Sequence, residues 1–155
     1  MVQDSYGFLW LSASDGLRRF DGYGCMKVPD AQSANRVGHI IGHSFARDRA
    51  GRLWIGADDS LHRYDPATGA LTQYRSENDD CGTVRIAHDI VEDQDGVIWL
   101  ATDDGLTALD PATSKTTCHR PRYTPGVGET RIIAMAAVPD GTLWSTSSAG
   151  LYALD

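Results

Sequence analysis

The segment DQDGVIWLATDDGL, residues 93–106, gathers four aspartates and two glycines about one tryptophan. Carboxylates at that density could hold a divalent cation, share a proton in acid–base work, or close tight turns by bonding their own backbone. The cation reading asks for ligands that are not there: an EF-hand loop runs on to a closing glutamate, and this segment has none. No metal site is therefore expected. The glycines invite a phosphate-binding reading, yet neither Gly-x-Gly-x-x-Gly nor Gly-x4-Gly-Lys-Ser/Thr occurs, and GVGET at residues 126–130 reads as a connection. No serine stands in Gly-x-Ser-x-Gly, so nucleophilic catalysis lacks a constellation and no cofactor is implied.

The remaining groups able to contact a ligand are imidazoles and guanidiniums. His43 and His88 each lie eleven residues ahead of a tryptophan, and Arg85 and Arg131 stand near matching places. What they do depends on the elements that carry them.

Those elements repeat. Trp10, Trp54, Trp99 and Trp144 are all the tryptophans in the chain, at spacings of 44, 45 and 45. Aligned on them, each copy has glycine three residues before (Gly7, Gly51, Gly96, Gly141), leucine seven after and aspartate eleven after. Asp-x-x-Gly or Asp-Gly supplies a turn, because glycine takes positive φ and aspartate bonds the backbone two residues on. Runs such as GVIWLAT and GRLWIGA then suit buried strands, and a second turn (DDG, SDG) leads into LTALD or LRRFD, completing a hairpin. ALTQYR and SKTTCH trail two of the hairpins as further strands, and HIIGHSFARD, RIAHDIVED and TRIIAMAAVPD precede three of them. No window shows the i, i+3, i+4, i+7 apolar spacing of a helix.

Four short antiparallel strands per 45 residues, with Gly and Trp at fixed places, predict an all-β chain of β-propeller blades. One blade cannot cover both faces of its own sheet, so the tryptophan is expected to fill the gap between neighbours. The repeats span approximately residues 1–30, 37–78, 83–120 and 129–155, about three and a half blades. A partial, open propeller is expected, completed by further blades or by self-association. Turn aspartates recurring in several copies, including Asp58–Asp59 and Asp103–Asp104, are read as structural, since an active site needs one special copy.

The pattern Asp-x-x-Gly-x-[Leu/Ile]-Trp-[Leu/Ile]-x-[Ala/Thr]-x-x-Gly-Leu resembles the two-component regulator propeller repeat. Residues 93–106 and 4–17 carry it best; Ser60 replaces glycine in the second copy, and Val138 and Ser145 depart in the fourth. The resemblance implies an extracytoplasmic or periplasmic sensor module of a hybrid histidine kinase or related signal-transduction receptor. It further implies a small-molecule ligand, often a breakdown product of complex carbohydrate. No kinase segment lies in these residues. The alternative is a propeller-type lyase or hydrolase acting on a carbohydrate or lactone.

Within such a blade the first strand runs nearest the central axis, so alternation could turn His43 and His88 toward the channel or a neighbouring blade. Arg85 and Arg131 would stand near an entrance, where a guanidinium suits a carboxylate or a stacked sugar ring. These four are the candidate ligand-binding residues.

Composition sets the outer bounds. The chain has 155 residues, enough to remove roughly 70% of its unfolded surface from water. Its 14 basic and 21 acidic residues leave a formal charge of −7, which repels nucleic acid. No apolar run reaches the roughly 18–20 residues of a membrane span. Cys25, Cys81 and Cys118 have no metal-binding spacing, and the sequence leaves a disulfide among them open.

Overall fold

The computed structural model describes residues 1–13, 16–28, 44–57, 60–74, 87–119, 131–148 and 150–154. His43 and Arg85 lie outside them, as do Asp58 and Asp59. The described residues form strands, turns and bends, with no helix among them.

Four antiparallel sheets follow one another along the chain, each a meander in sequence order. The first blade comprises β1 (Val2–Gln3), β2 (Leu9–Ala13), β3 (Gly16–Phe20) and β4 (Cys25–Lys27). The second comprises β5 (Ser44–Arg47), β6 (Leu53–Gly56), β7 (Leu61–Asp65) and β8 (Ala70–Tyr74). The third holds β9 (Asp89–Glu92), β10 (Ile98–Thr102), β11 (Gly105–Asp110) and β12 (Lys115–His119). The fourth has β13 (Ile132–Ala137), β14 (Leu143–Ser147) and β15 (Gly150–Leu154).

The turn between the first two strands of a blade shows why the sequence is written as it is. In the third blade Asp93 accepts backbone bonds from Asp95 and Val97 on Oδ1, at 2.9 and 3.0 Å. Gly96 sits at φ +83°, where a Cβ would be strained, and donates to the Asp93 carbonyl at 3.2 Å. The other Asp93 oxygen, Oδ2, reaches forward to Trp99 Nε1 at 2.7 Å. Asp4 and Asp48 hold Trp10 and Trp54 in the same way, at 2.8 and 2.9 Å. One carboxylate therefore shapes the turn and pins the indole six residues on. In the fourth blade Val138 stands at the aspartate's place, and among the described residues Trp144 has no such partner.

The indoles face the next blade. Trp10 packs on Leu53, Ile55 and Tyr64 of the second blade, its ring 4.4 Å from that of Tyr64. Trp54, fully buried, packs with Ile90, Ile98, Leu100 and Leu109 of the third. Trp99 sits against the cluster containing Ile132 and Leu143 of the fourth. Three apolar seams thus hold four sheets.

Gly56 in the second blade is tightly enclosed: an added Cβ would lie 2.5 Å from Ser44 Oγ of its own sheet and 2.7 Å from the Ala87 Cβ ahead of β9. Here glycine is required by space and not by φ. Gly56→Ala is expected to lower stability by about 1–3 kcal/mol, because a packed seam must open to admit the methyl group. A urea unfolding midpoint equal to that of the parent chain would contradict it.

Candidate functional site

The first strands of successive blades touch, β1 with β5, β5 with β9 and β9 with β13, so they line the inner side of the arc. Side chains lock them: Asp89 Oδ2 accepts the Met135 amide at 2.8 Å, and Glu92 accepts the Arg49 amide at 2.7 Å. Arg49 also donates through Nη1 to the Gln94 carbonyl at 3.0 Å. Two polar regions lie at opposite ends of these strands, separated along β9 by about 13 Å at the usual strand rise of about 3.3 Å per residue.

The first region gathers His88 and Arg131 of the expected set. His88 precedes β9, anchored by its amide to the Ala101 carbonyl at 2.8 Å, so it stands at the strand's entrance. Its Nε2 lies 2.8 Å from Asp103 Oδ1 in the β10–β11 turn and 3.2 Å from Arg131 Nε in the fourth blade. One nitrogen cannot both donate to Asp103 and accept from Arg131. The shorter contact decides: an unprotonated Nε2 would set its lone pair against a carboxylate oxygen, so Nε2–H donates to Asp103. Arg131 then pairs with the same carboxylate, its Nε 3.4 Å from Oδ1. Both terminal nitrogens of Arg131, whose side chain is half exposed, find no partner among the described residues.

Asp103, read from sequence as a turn residue like its repeat mates, is the acceptor at the centre of this group. The same spacing recurs one repeat earlier in the sequence, His43 with Asp58 fifteen residues on, both outside the described residues. Because the Asp103–Arg131 pair is solvent-exposed, Arg131→Gln is expected to change unfolding free energy by less than about 1 kcal/mol. Denaturant titration checks this; a larger loss would make the arginine a structural strut.

The second region is an open depression of about 630 Å³ at the far ends of β5, β9 and β13. Ile90, Val91, Ala136 and Ala137 give it an apolar floor, and Arg47, Arg49, Asp48 and Glu92 bring charge. Three of those charges are committed: Asp48 to Trp54, and Arg49 to Glu92 at 3.3 Å. Arg47 is exposed and makes no hydrogen bond or ion pair among the described residues. Nothing in the sequence pattern singled it out, since a charge closing a strand usually faces solvent. An apolar shelf beside an uncommitted guanidinium suits a small molecule with one carboxylate and one hydrophobic face.

Other chemistry is sparse. Among the described residues no three His, Cys, Asp or Glu side chains are placed to hold a metal ion. His119 stacks against Trp99 with centroids 4.9 Å apart, and His62 meets Ser60 Oγ at 3.0 Å. Cys25 is a free, exposed thiol, whereas Cys118 is disulfide-bonded.

Residues 82–104 match the family described as two component regulator propeller. The matched propeller repeat covers the turn, β9, β10 and the Asp93–Trp99 clamp described above. Solved structures extend the likeness over the chain. The extracellular domain of a hybrid two component system from B. thetaiotaomicron aligns with 99% of it at 24% identity and a TM-score of 0.77. The extracellular domain of a one component system from the same organism aligns with 99% at 23% identity and a TM-score of 0.74. Virginiamycin B lyase from Staphylococcus aureus aligns with 99% at 12% identity and a TM-score of 0.66. The chain spans 22% and 23% of the two extracellular domains and 54% of the lyase. Likeness at these identities establishes the fold, a partial β-propeller. No curated protein matches the sequence.

Proposed function

We propose that this chain is part of the extracytoplasmic, ligand-binding sensor propeller of a two-component signal-transduction receptor. The observation that carries the reading is the depression where β5, β9 and β13 converge, with Arg47 uncommitted beside an apolar floor. A ligand seated there touches three blades at once. It would therefore favour one packing of the blades over another, and a ligand shifts an equilibrium only by such a difference in affinity. The propeller repeat and the fold shared with extracellular domains of two component and one component systems support a sensor role. The disulfide at Cys118 supports an oxidising compartment.

The ligand class is a carboxylate-bearing small molecule with an apolar face, such as an acidic sugar. At the other end of the strands, Arg131 offers its two terminal nitrogens as a second, shallower contact, held in place by Asp103 and His88. Thermal-shift measurements with a panel of carboxylated and neutral mono- and disaccharides test the assignment. A stabilisation by carboxylated members, abolished in Arg47→Gln and kept in Arg131→Gln, is the expected result. Equal shifts in the parent and Arg47→Gln would overturn it.

The likeness to virginiamycin B lyase favours a second reading, a lyase or hydrolase acting on a carbohydrate or lactone. Such chemistry needs an available base near the ligand. The described histidines are engaged, His88 by Asp103, His62 by Ser60 and His119 by the Trp99 ring, which weakens it.

A further inference from the structure

The first strand of every blade ends seven residues before its tryptophan, and the residue there changes from blade to blade: Gln3, Arg47, Glu92 and Ala137. All four pair in the same register, with Leu9, Leu53, Ile98 and Leu143. The scaffold is common to the four positions, so it does not dictate which charge stands there.

Arg47 and Glu92 close β5 and β9, strands that touch, and both line the depression. Opposite charges on neighbouring strands invite a pair, yet Glu92 is held by Arg49 instead. The Arg49 amide donates to Glu92 Oε2 at 2.7 Å, and Arg49 Nε lies 3.3 Å from the same oxygen. Two donors on one oxygen fix the carboxylate. The other oxygen, Oε1, accepts no bond among the described residues and is not shut away from solvent.

The first blade supplies the contrast. Gln3 presents an amide nitrogen at the matching place and donates it to the Gly7 carbonyl at 3.1 Å. Glu92 Oε1 bears the same relation to its own turn, since a Cβ added at Gly96 would lie 3.9 Å from it, as one added at Gly7 would from Gln3 Nε2. An ionised carboxylate only accepts, so it makes no bond to the Gly96 carbonyl. Its free oxygen is left for a donor from outside the chain.

We infer that Glu92 Oε1 is the second polar contact of a ligand in the depression, accepting a hydroxyl of the molecule whose carboxylate pairs with Arg47. The inference rests on the ligand reading above and narrows its class to hydroxylated acids. A bond to a charged acceptor is roughly twice as strong as one between neutral groups, so one oxygen suffices to discriminate. Arg49 is then a positioning residue, holding the carboxylate from the neighbouring blade.

Calorimetric titration of the chain with glucuronate and with cyclohexanecarboxylate tests this. Both are six-membered rings with one carboxylate, and only the first carries hydroxyls. Glu92→Gln copies the arrangement of Gln3: its oxygen keeps the Arg49 amide, and its NH2 turns to the Gly96 carbonyl. Losing the negative charge strengthens binding of both acids, so the ratio of their affinities is what reads the bond. That ratio, glucuronate over cyclohexanecarboxylate, is expected to fall about fivefold, the loss of a hydrogen bond to a charged group. Should Glu92→Gln fail to fold, Glu92→Asp keeps the charge, shortens the reach by one methylene and is expected to lower the ratio likewise. If both acids lose affinity in Arg47→Gln but the ratio is unchanged in the folded Glu92 variant, this inference is overturned and the ligand reading stands. If neither acid binds the parent, or both bind Arg47→Gln equally well, the ligand reading falls and this inference with it.

Discussion

Trp54→Ala is expected to lower the unfolding free energy by about 3–5 kcal/mol, since it empties a wholly buried site between the second and third blades. The indole packs with Ile90, Ile98, Leu100 and Leu109, all of the next blade, so the hole opens in the seam and not within one sheet. Against a total stability of roughly 5–15 kcal/mol, this removes a large share of what holds the arc. Trp144 is 40% exposed among the described residues, so the same truncation there empties no buried site. Melting followed by circular dichroism separates them: the first variant should lose tens of per cent of its folded population well below the parent's transition. Equal melting of Trp54→Ala and parent would contradict packing between blades.

Asp48→Ala is expected to come close behind, at about 3–5 kcal/mol, by breaking a buried charged network. The Asp48 side chain is completely shielded from solvent, and Arg52 donates to it twice, from its amide at 2.8 Å and its Nε at 2.7 Å. Trp54 Nε1 donates to the same Oδ2 at 2.9 Å. Losing the carboxylate leaves a buried indole N–H and a turn amide without acceptors. Asp48→Asn does not repair this, because its amide group would present hydrogens to one set of donors. A double-mutant cycle of Asp48→Ala with Trp54→Phe should show coupling above about 0.5 kcal/mol. Additive losses would mean that the clamp contributes nothing beyond the turn.

Much of this architecture was legible in sequence because the tryptophan period, the turn glycines and the alternating strands are local signals repeated in each copy. The role of the leading aspartate was half visible. Its bond to the turn backbone follows from local chemistry, but its reach to the indole spans six residues and needs the turn's three-dimensional shape. The clue was Val138, the one copy without aspartate, in the one blade whose tryptophan is exposed. Asp103 was read as a turn former, and its contact with Arg131 joins different blades, a relation that no single repeat contains. His88 was expected within the first strand; it stands just before it, its amide bonded to the Ala101 carbonyl at the strand's entrance. Arg47 carried no mark at all, because the depression beside it is made by three strands far apart in the chain. The Cys118 disulfide had no spacing motif to announce it.

The turns also carry a modest acid sensitivity. The Thr113 hydroxyl and the Ala112 amide hold the Asp110 carboxyl below its ordinary value, and the Thr142 amide and hydroxyl do the same for Asp140. A depressed folded-state pKa adds stability above the usual carboxylate range and loses it as pH falls through the lowered value. Both groups are exposed, so solvent screens the effect.

The functional claim is that ligand meets the chain at the convergence of β5, β9 and β13. Two-dimensional 1H–15N spectra, recorded while a carboxylated sugar active in the thermal-shift panel is titrated in, test it most directly. The account predicts the largest shifts at Arg47, Ile90, Val91, Ala136 and Ala137, with β7 and β8 unmoved. Shifts confined to other surfaces, or equal shifts with the neutral sugar, would contradict it.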